Sequence, residues 1–352
     1  MRHDDDATAA SAPHGSAAFD GDEPAPATVP VALPETSDTE GAKPRSSDTW
    51  IAVQFGLAGL VWGASFLFMA LALEGLSPVQ VATGRTFFGA ITLGLIALVT
   101  RDRLPRGRRL WAHLALLSVT FAVLPYLLFA WAQQYIASGV TSILNATTPI
   151  MTALLAGLLF KVETLTREQI LGIVVGTLGV VVIVGPWQGL ASGTGGIVPY
   201  LAVLGATSRY GFSLSYMRRF LRDTGLSAIM FSFTMIGMAA IWMLLLTPFV
   251  GLDPVTLTPS VVVAIVLLGA LGTGFAYAWN QNVVRVWGAT RSATVTYISP
   301  VIGVALGVLI LGEVLDWNEP VGAVLVLLGV LLAQRRLRLP SRRRPRAIPS
   351  GA

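Results

Sequence analysis

Two stretches of this chain set polar groups beside a proline within long apolar runs: Asn145-Ala146-Thr147-Thr148-Pro149 followed by Glu163, and Tyr297-Ile298-Ser299-Pro300 followed by Glu313. By helical rise each proline lies roughly 15 Å into its helix, close to the middle of a bilayer. A proline lacks the N–H that would bond four residues back, so a carbonyl is freed where no bulk water can reach it. Another helix, a hydroxyl or a water-filled cavity must satisfy that carbonyl, and the same groups can hold a polar solute. Interruptions at matching places in two halves of a chain are the sequence pointer to a transporter's central site.

Other polar and aromatic residues inside the apolar runs extend this candidate set. Arg85 and Arg209 are arginines too deep to reach the interface with ease, and each either satisfies neighbouring helix ends or meets solute. Trp62 and Tyr210 stand far from their span ends and are candidates for a cavity wall. Tyr126, Tyr277 and Trp279 fit either core packing or the same wall. Asn145, Thr147 and Thr148, like Thr296, Tyr297 and Ser299, either repair the backbone around the prolines or line the path. Gln133 and Gln134, and Asn280, Gln281 and Asn282, read as mouth groups or as interfacial solvation.

What is missing bounds the chemistry. Glu74, Glu163, Glu313, Asp316 and Glu319 fall at or beyond helix ends, which argues against a proton relay on a midplane carboxylate. No carboxylate pair, nucleophile elbow or phosphate loop occurs within the apolar runs. There are no cysteines, His3 and His14 lie near the N-terminus, and His113 is placed at an interface, so neither a metal nor another cofactor is expected. The pattern is not that of an enzyme.

The elements that position these residues follow from composition. Hydrophobic residues make up 54% and charged residues 12%, about half the charge of a soluble domain. With a mean hydropathy of +0.69 this is a polytopic, all-α integral membrane protein. Its apolar runs, 50–73, 78–99, 110–133, 139–160, 168–185, 195–217, 225–248, 259–283, 289–311 and 318–334, predict ten transmembrane helices. Lys and Arg occur before the first run and after the second, fourth, sixth, eighth and tenth, while the loops after the odd runs contain none. The positive-inside rule then puts both termini in the cytoplasm of a multi-pass cell-membrane protein. The net charge of +5 is scattered among loops and a tail, a distribution suited to topology and anionic lipid rather than nucleic acid.

The chain also repeats itself. Leu171-Gly172 through Leu178-Gly179 matches Val321-Gly322 through Leu328-Gly329, and Ala130-Trp131 with Gln133 matches Ala278-Trp279 with Gln281. Five helices per half is an odd number, so the halves run oppositely through the membrane, as two inverted five-helix repeats over 49–186 and 195–335. Glycines 56, 59, 63, 172, 176, 179, 303, 307, 322 and 329 are expected to permit close helix packing. Residues 1–48, rich in Ala, Pro, Ser, Thr and Asp, are expected to form a disordered cytoplasmic tail, and 336–352 a basic one.

Trp62-Gly63-Ala64-Ser65-Phe66, Leu73-Glu74-Gly75-Leu76-Ser77-Pro78 leading to Arg85, Thr148-Pro149 with Glu163, and Ser299-Pro300 with Gly312-Glu313 together resemble the EamA branch of the drug/metabolite transporter superfamily. The resemblance spans almost all of 50–335. It departs at Phe160-Lys161-Val162-Glu163, where the Gly-Glu of the second half is replaced and one residue is inserted. It implies a secondary transporter, often an exporter, that carries small organic metabolites such as amino acids by alternating access through a cavity between the repeats. Multidrug or cationic-compound efflux is the alternative. Intramembrane arginines without a midplane anion favour a neutral, zwitterionic or anionic solute. The expected partners are that solute and the bilayer, with the chain working as a monomer or a homodimer.

Overall fold

The computed structural model describes residues 46–185, 187, 196–221 and 224–337, so the expected tails lie outside the described residues except at 46–48 and 336–337. Among the described residues the regular elements are helices throughout. They are α1 (Ser46–Leu73), α2 (Pro78–Val99), α3 (Arg108–Leu117), α4 (Leu124–Ala132), α5 (Ser138–Asn145), α6 (Thr148–Leu158), α7 (Arg167–Val184), α8 (Val198–Phe220), α9 (Ala228–Val250), α10 (Pro259–Gly269), α11 (Ala276–Ser292), α12 (Val295–Leu311) and α13 (Asn318–Ala333). A π-helical turn joins α3 to α4 at Ser118–Val123, and another joins α10 to α11 at Ala270–Phe275. Seven continuous stretches, α1, α2, α3–α4, α5–α6, α7, α9 and α10–α11, are long and apolar enough to cross a membrane. The shorter apolar α12 and α13, and the arginine-bearing, less apolar α8, occupy the other three expected spans.

Local signals set the ends. The Ser77 N–H donates to Gln80 Oε1 (2.9 Å) at the start of α2, and the Thr166 N–H to Gln169 Oε1 (2.9 Å) at the start of α7, so each glutamine satisfies a donor at a helix entry. α1 starts at Ser46, inside the expected tail, with Asp48 in its first turn where the helix dipole favours an anion.

The packing repeats with the pseudo-symmetry of an inverted repeat. α7 packs on its mate α13 and α2 on its mate α9; α1 packs on α12 as α8 packs on α6, and α1 on α11 as α8 on α4. The α7–α13 seam is backbone against backbone: a Cβ on Gly172 would stand 2.5 Å from the Ala333 nitrogen, and one on Gly179 2.7 Å from that of Val326. These glycines pack closely, as expected, whereas a Cβ on Gly56 would meet nothing within 4 Å.

The two proline sites are not equivalent, which corrects the expectation of matching breaks. Before Pro149 the span tightens into a turn at Ala146 and Thr147: α5 ends at Asn145, α6 begins at Thr148, and the Thr148 hydroxyl donates to the freed Asn145 carbonyl (2.8 Å). Pro300, by contrast, lies inside a continuous α12. There Gly63 brings α1 so close that a Cβ on it would stand 2.8 Å from the Ser299 carbonyl oxygen, and this packing braces the helix through the proline. The interruption in the second half comes earlier, at a kink at Gly288 (φ 81°) and a turn before Val295, so the expected span 289–311 is helical from Val295 as α12.

Candidate functional site

Arg85 on α2 is the centre of an aromatic cluster drawn from both repeats. It is only 8% exposed, and its guanidinium carbon lies 3.8 Å above the centre of the Tyr126 ring of α4. Its Nε donates to Thr273 Oγ1 (3.2 Å) in the second π turn. The Tyr126 and Tyr277 hydroxyls lie 3.3 Å apart, and Trp62 of α1 meets Tyr277 edge-on at 6.2 Å. Phe121, in the first π turn, touches both Tyr210 (5.1 Å) and Tyr277 (6.3 Å), and Phe129 lies 5.9 Å from Tyr210.

Small residues let this constellation form. A Cβ on Gly89 would stand 2.9 Å from Thr273 Cβ, one on Gly274 2.4 Å from Thr92 Cβ, and one on Gly269 2.9 Å from the Arg85 carbonyl. α2 therefore lies directly on the turn 270–275, and Thr273 is delivered under the arginine. A π turn adds a residue to the helix and re-aims its side chains, a device common at functional sites. Each repeat contributes one, carrying Phe121 and Thr273 respectively.

The electrostatics are lopsided. Among the described residues no carboxylate pairs with Arg85, and its terminal nitrogens have no protein acceptor. A buried guanidinium holding one hydroxyl and one ring face has stacking and one bond, but no counter-ion. Trp62, Tyr210 and Tyr277 are half-buried, with Trp62 against Tyr277 and Phe121 between the two tyrosines.

Of the residues singled out from sequence, Trp62, Arg85, Tyr126, Tyr210 and Tyr277 are brought together. Four are not. Arg209 is exposed, on a stripe with Val198 (55%) and Phe220 (51%) that recurs every eleven residues along α8, and makes none of the cluster's contacts. Tyr210, about 100° further round the helix, is the residue that turns inward. Asn145 is half-buried at the end of α5 and makes none of the cluster's contacts. Asn280 Oδ1 accepts from the Ser292 hydroxyl (2.6 Å), and the Tyr297 hydroxyl donates to Gln334 Oε1, fastening the start of α12 to the end of α13. Sequence reasoning passed over Thr273 and Phe121. A threonine between two glycines, Gly272 and Gly274, was the available sign of a close helix approach.

The comparisons with known proteins agree with this architecture. The profile of the EamA-like transporter family matches residues 49–185 and again 197–334. "Uncharacterized transporter YdfC" of Bacillus subtilis (strain 168) is 28% identical over 81% of this chain and 91% of its own length. "Probable terminal-alkyne amino-acid exporter" of Streptantibioticus cattleyicolor is 27% identical over 83% of this chain and 94% of its own. A solved crystal structure superposes with a TM-score of 0.55 at 20% identity, covering 83% of this chain and 99% of that one, a likeness of fold. Two copies of the family's domain, seven helices among the described residues long and apolar enough to cross a membrane with two shorter apolar ones, and packing related by an inverted repeat lead to one conclusion: the chain belongs to the EamA-like transporter family and is a multi-pass membrane transporter, not an enzyme.

Proposed function

We propose that this protein exports a small organic metabolite bearing a carboxylate, an amino acid or a close relative, across the cell membrane by alternating access between its two repeats. The observation that carries the reading is the buried Arg85 guanidinium, which stacks on Tyr126 and bonds Thr273 but has no anionic partner among the described residues. A carboxylate supplies what the site lacks, because it accepts in parallel from the guanidinium fork. Trp62, Tyr210 and Tyr277 offer ring faces to the apolar or ammonium part of the solute. The name of the Streptantibioticus relative, an amino-acid exporter, supports both the solute class and the direction. The Lys/Arg alternation supports cytoplasmic termini, with solute collected from that side.

Overexpression in a sensitive host challenged with toxic amino-acid analogues, weak organic acids and cationic dyes tests this. Protection against the carboxylate-bearing compounds supports the reading. Protection confined to cationic dyes refutes it.

A further inference from the structure

Glu313 joins the two repeats at one end of the bundle. The chain leaves α12 through Gly312 in the left-handed conformation (φ 66°), and the Glu313 N–H returns to the Gly307 carbonyl (3.1 Å), folding the residue back along its own helix. Its carboxylate then reaches the start of α5 in the other repeat: Oε1 accepts the Ser138 N–H (2.6 Å) and Oε2 the Gly139 N–H (2.9 Å). The slot fits an anion and little else. A Cβ on Gly139 would stand 3.2 Å from Oε2 and one on Gly307 2.2 Å from it.

From this cap a seam runs inward. The Ser142 hydroxyl of α5 donates to the Ser299 carbonyl (3.2 Å), and a Cβ on Gly303 would stand 2.5 Å from Ser142 Cβ. The two helices are thus in near-backbone contact from Glu313 down to the level of Pro300. The pseudo-two-fold axis gives this seam a counterpart at the opposite end: Glu163, α6 and the start of α12. It is not formed. Glu163 Oε1 accepts from Gln169 Nε2 (3.4 Å) and Oε2 lies 3.9 Å from Arg218 Nη1, while α6 and α12 make no packing comparable to that of α5 and α12. One end of the path is zipped and the other is not.

We propose that the α5–α12 seam is the extracellular gate and that Glu313 is the residue that holds it shut, so that the two N–H bonds to α5 must break each time the path opens outward. The proposal rests on the alternating-access reading, and on cytoplasmic termini for calling this end extracellular. A carboxylate accepting two backbone N–H groups at a helix N-terminus is charge-assisted at both contacts, strong enough to latch yet made of bonds that re-form with the same partners.

The chain has no cysteines, so engineered ones report cleanly. A Cβ on Gly139 would lie 3.6 Å from Val304 Cγ2, which puts the pair Gly139→Cys with Val304→Cys within disulfide reach. Oxidation of that variant in membranes should cross-link it and stop solute flux, and dithiothreitol should restore flux. Separately, Ser142→Cys, 1% exposed in the seam, should react about tenfold faster with an impermeant methanethiosulfonate added outside when Glu313→Gln removes the charge. Ser232→Cys on α9, equally buried, should not change. Complete cross-linking that leaves flux intact overturns the proposal; so does Ser142→Cys labelling that stays at its starting rate, or that rises together with Ser232→Cys as general loosening would make it. The labelling reading needs no solute, so it stands or falls apart from the identity of what is carried.

Discussion

Replacing Arg85 by glutamine separates binding from folding, because the structure assigns opposing contributions to each. The folded state loses the bond to Thr273, about 1.5–3 kcal/mol for a charged donor. It also loses the stacking on Tyr126, about 2 kcal/mol when desolvated. It is relieved of a deeply placed arginine without a counter-ion among the described residues, about 2.5–3.5 kcal/mol on insertion scales. These largely cancel, so the melting temperature in detergent should move by only a few degrees. Solute binding has no such offset. Losing the charged fork that meets a carboxylate costs about 1.5–3 kcal/mol, a rise in KM of about ten- to a hundredfold. Arg85→Lys, which keeps the charge but loses the fork and the stack, should fall between. The assay is flux against solute concentration in vesicles, alongside thermal melts by fluorescence-detected size exclusion. An unchanged KM with a collapse in melting temperature would refute the reasoning and make Arg85 a brace between α2 and the turn 270–275.

Three further outcomes follow from the packing and the charge pattern. Arg209→Gln should leave KM within about twofold of the starting protein, since the residue is exposed and takes no part in the cluster; a larger rise in flux assays would return it to the path. Gly179→Val should destabilise by about 3 kcal/mol or more, because the new side chain meets the Val326 backbone at 2.7 Å, while Gly56→Ala, with open space around it, should be tolerated; melts in detergent check both. A single cysteine at Ser192 should react with an impermeant reagent from outside, and one at Ser341 only after permeabilisation; labelling from the same side would contradict cytoplasmic termini.

The fold was readable where one chemical constraint acted alone. Hydropathy sets the length of each span, and the glycines at 172, 176, 179, 322 and 329 can serve one purpose in apolar helices of such length. Pro300 was misleading because a proline's effect depends on what braces the helix, and Gly63 of α1, distant in sequence, supplies that brace. The direction of Arg209 was hidden because α8 is apolar or small on every side of it, so periodicity gives no inward face. Neighbouring Tyr210 shows how little decides the matter, since one residue turns a side chain from the outer stripe to the cluster. The partners of Arg85 and Glu313 lie in the opposite repeat, where sequence spacing carries no information about contact.

The central claim is that the Arg85 cluster receives a carboxylate in the course of transport, and counterflow in liposomes tests it most directly. Purified protein is reconstituted with an unlabelled solute inside, and uptake of a labelled amino acid is followed while the free acid, its amide and a quaternary ammonium compound compete outside. The account predicts that free acids compete and are exchanged, that their amides fail, and that Arg85→Gln abolishes the distinction. Exchange of the quaternary ammonium compound, with free acids and amides alike inert, would contradict it.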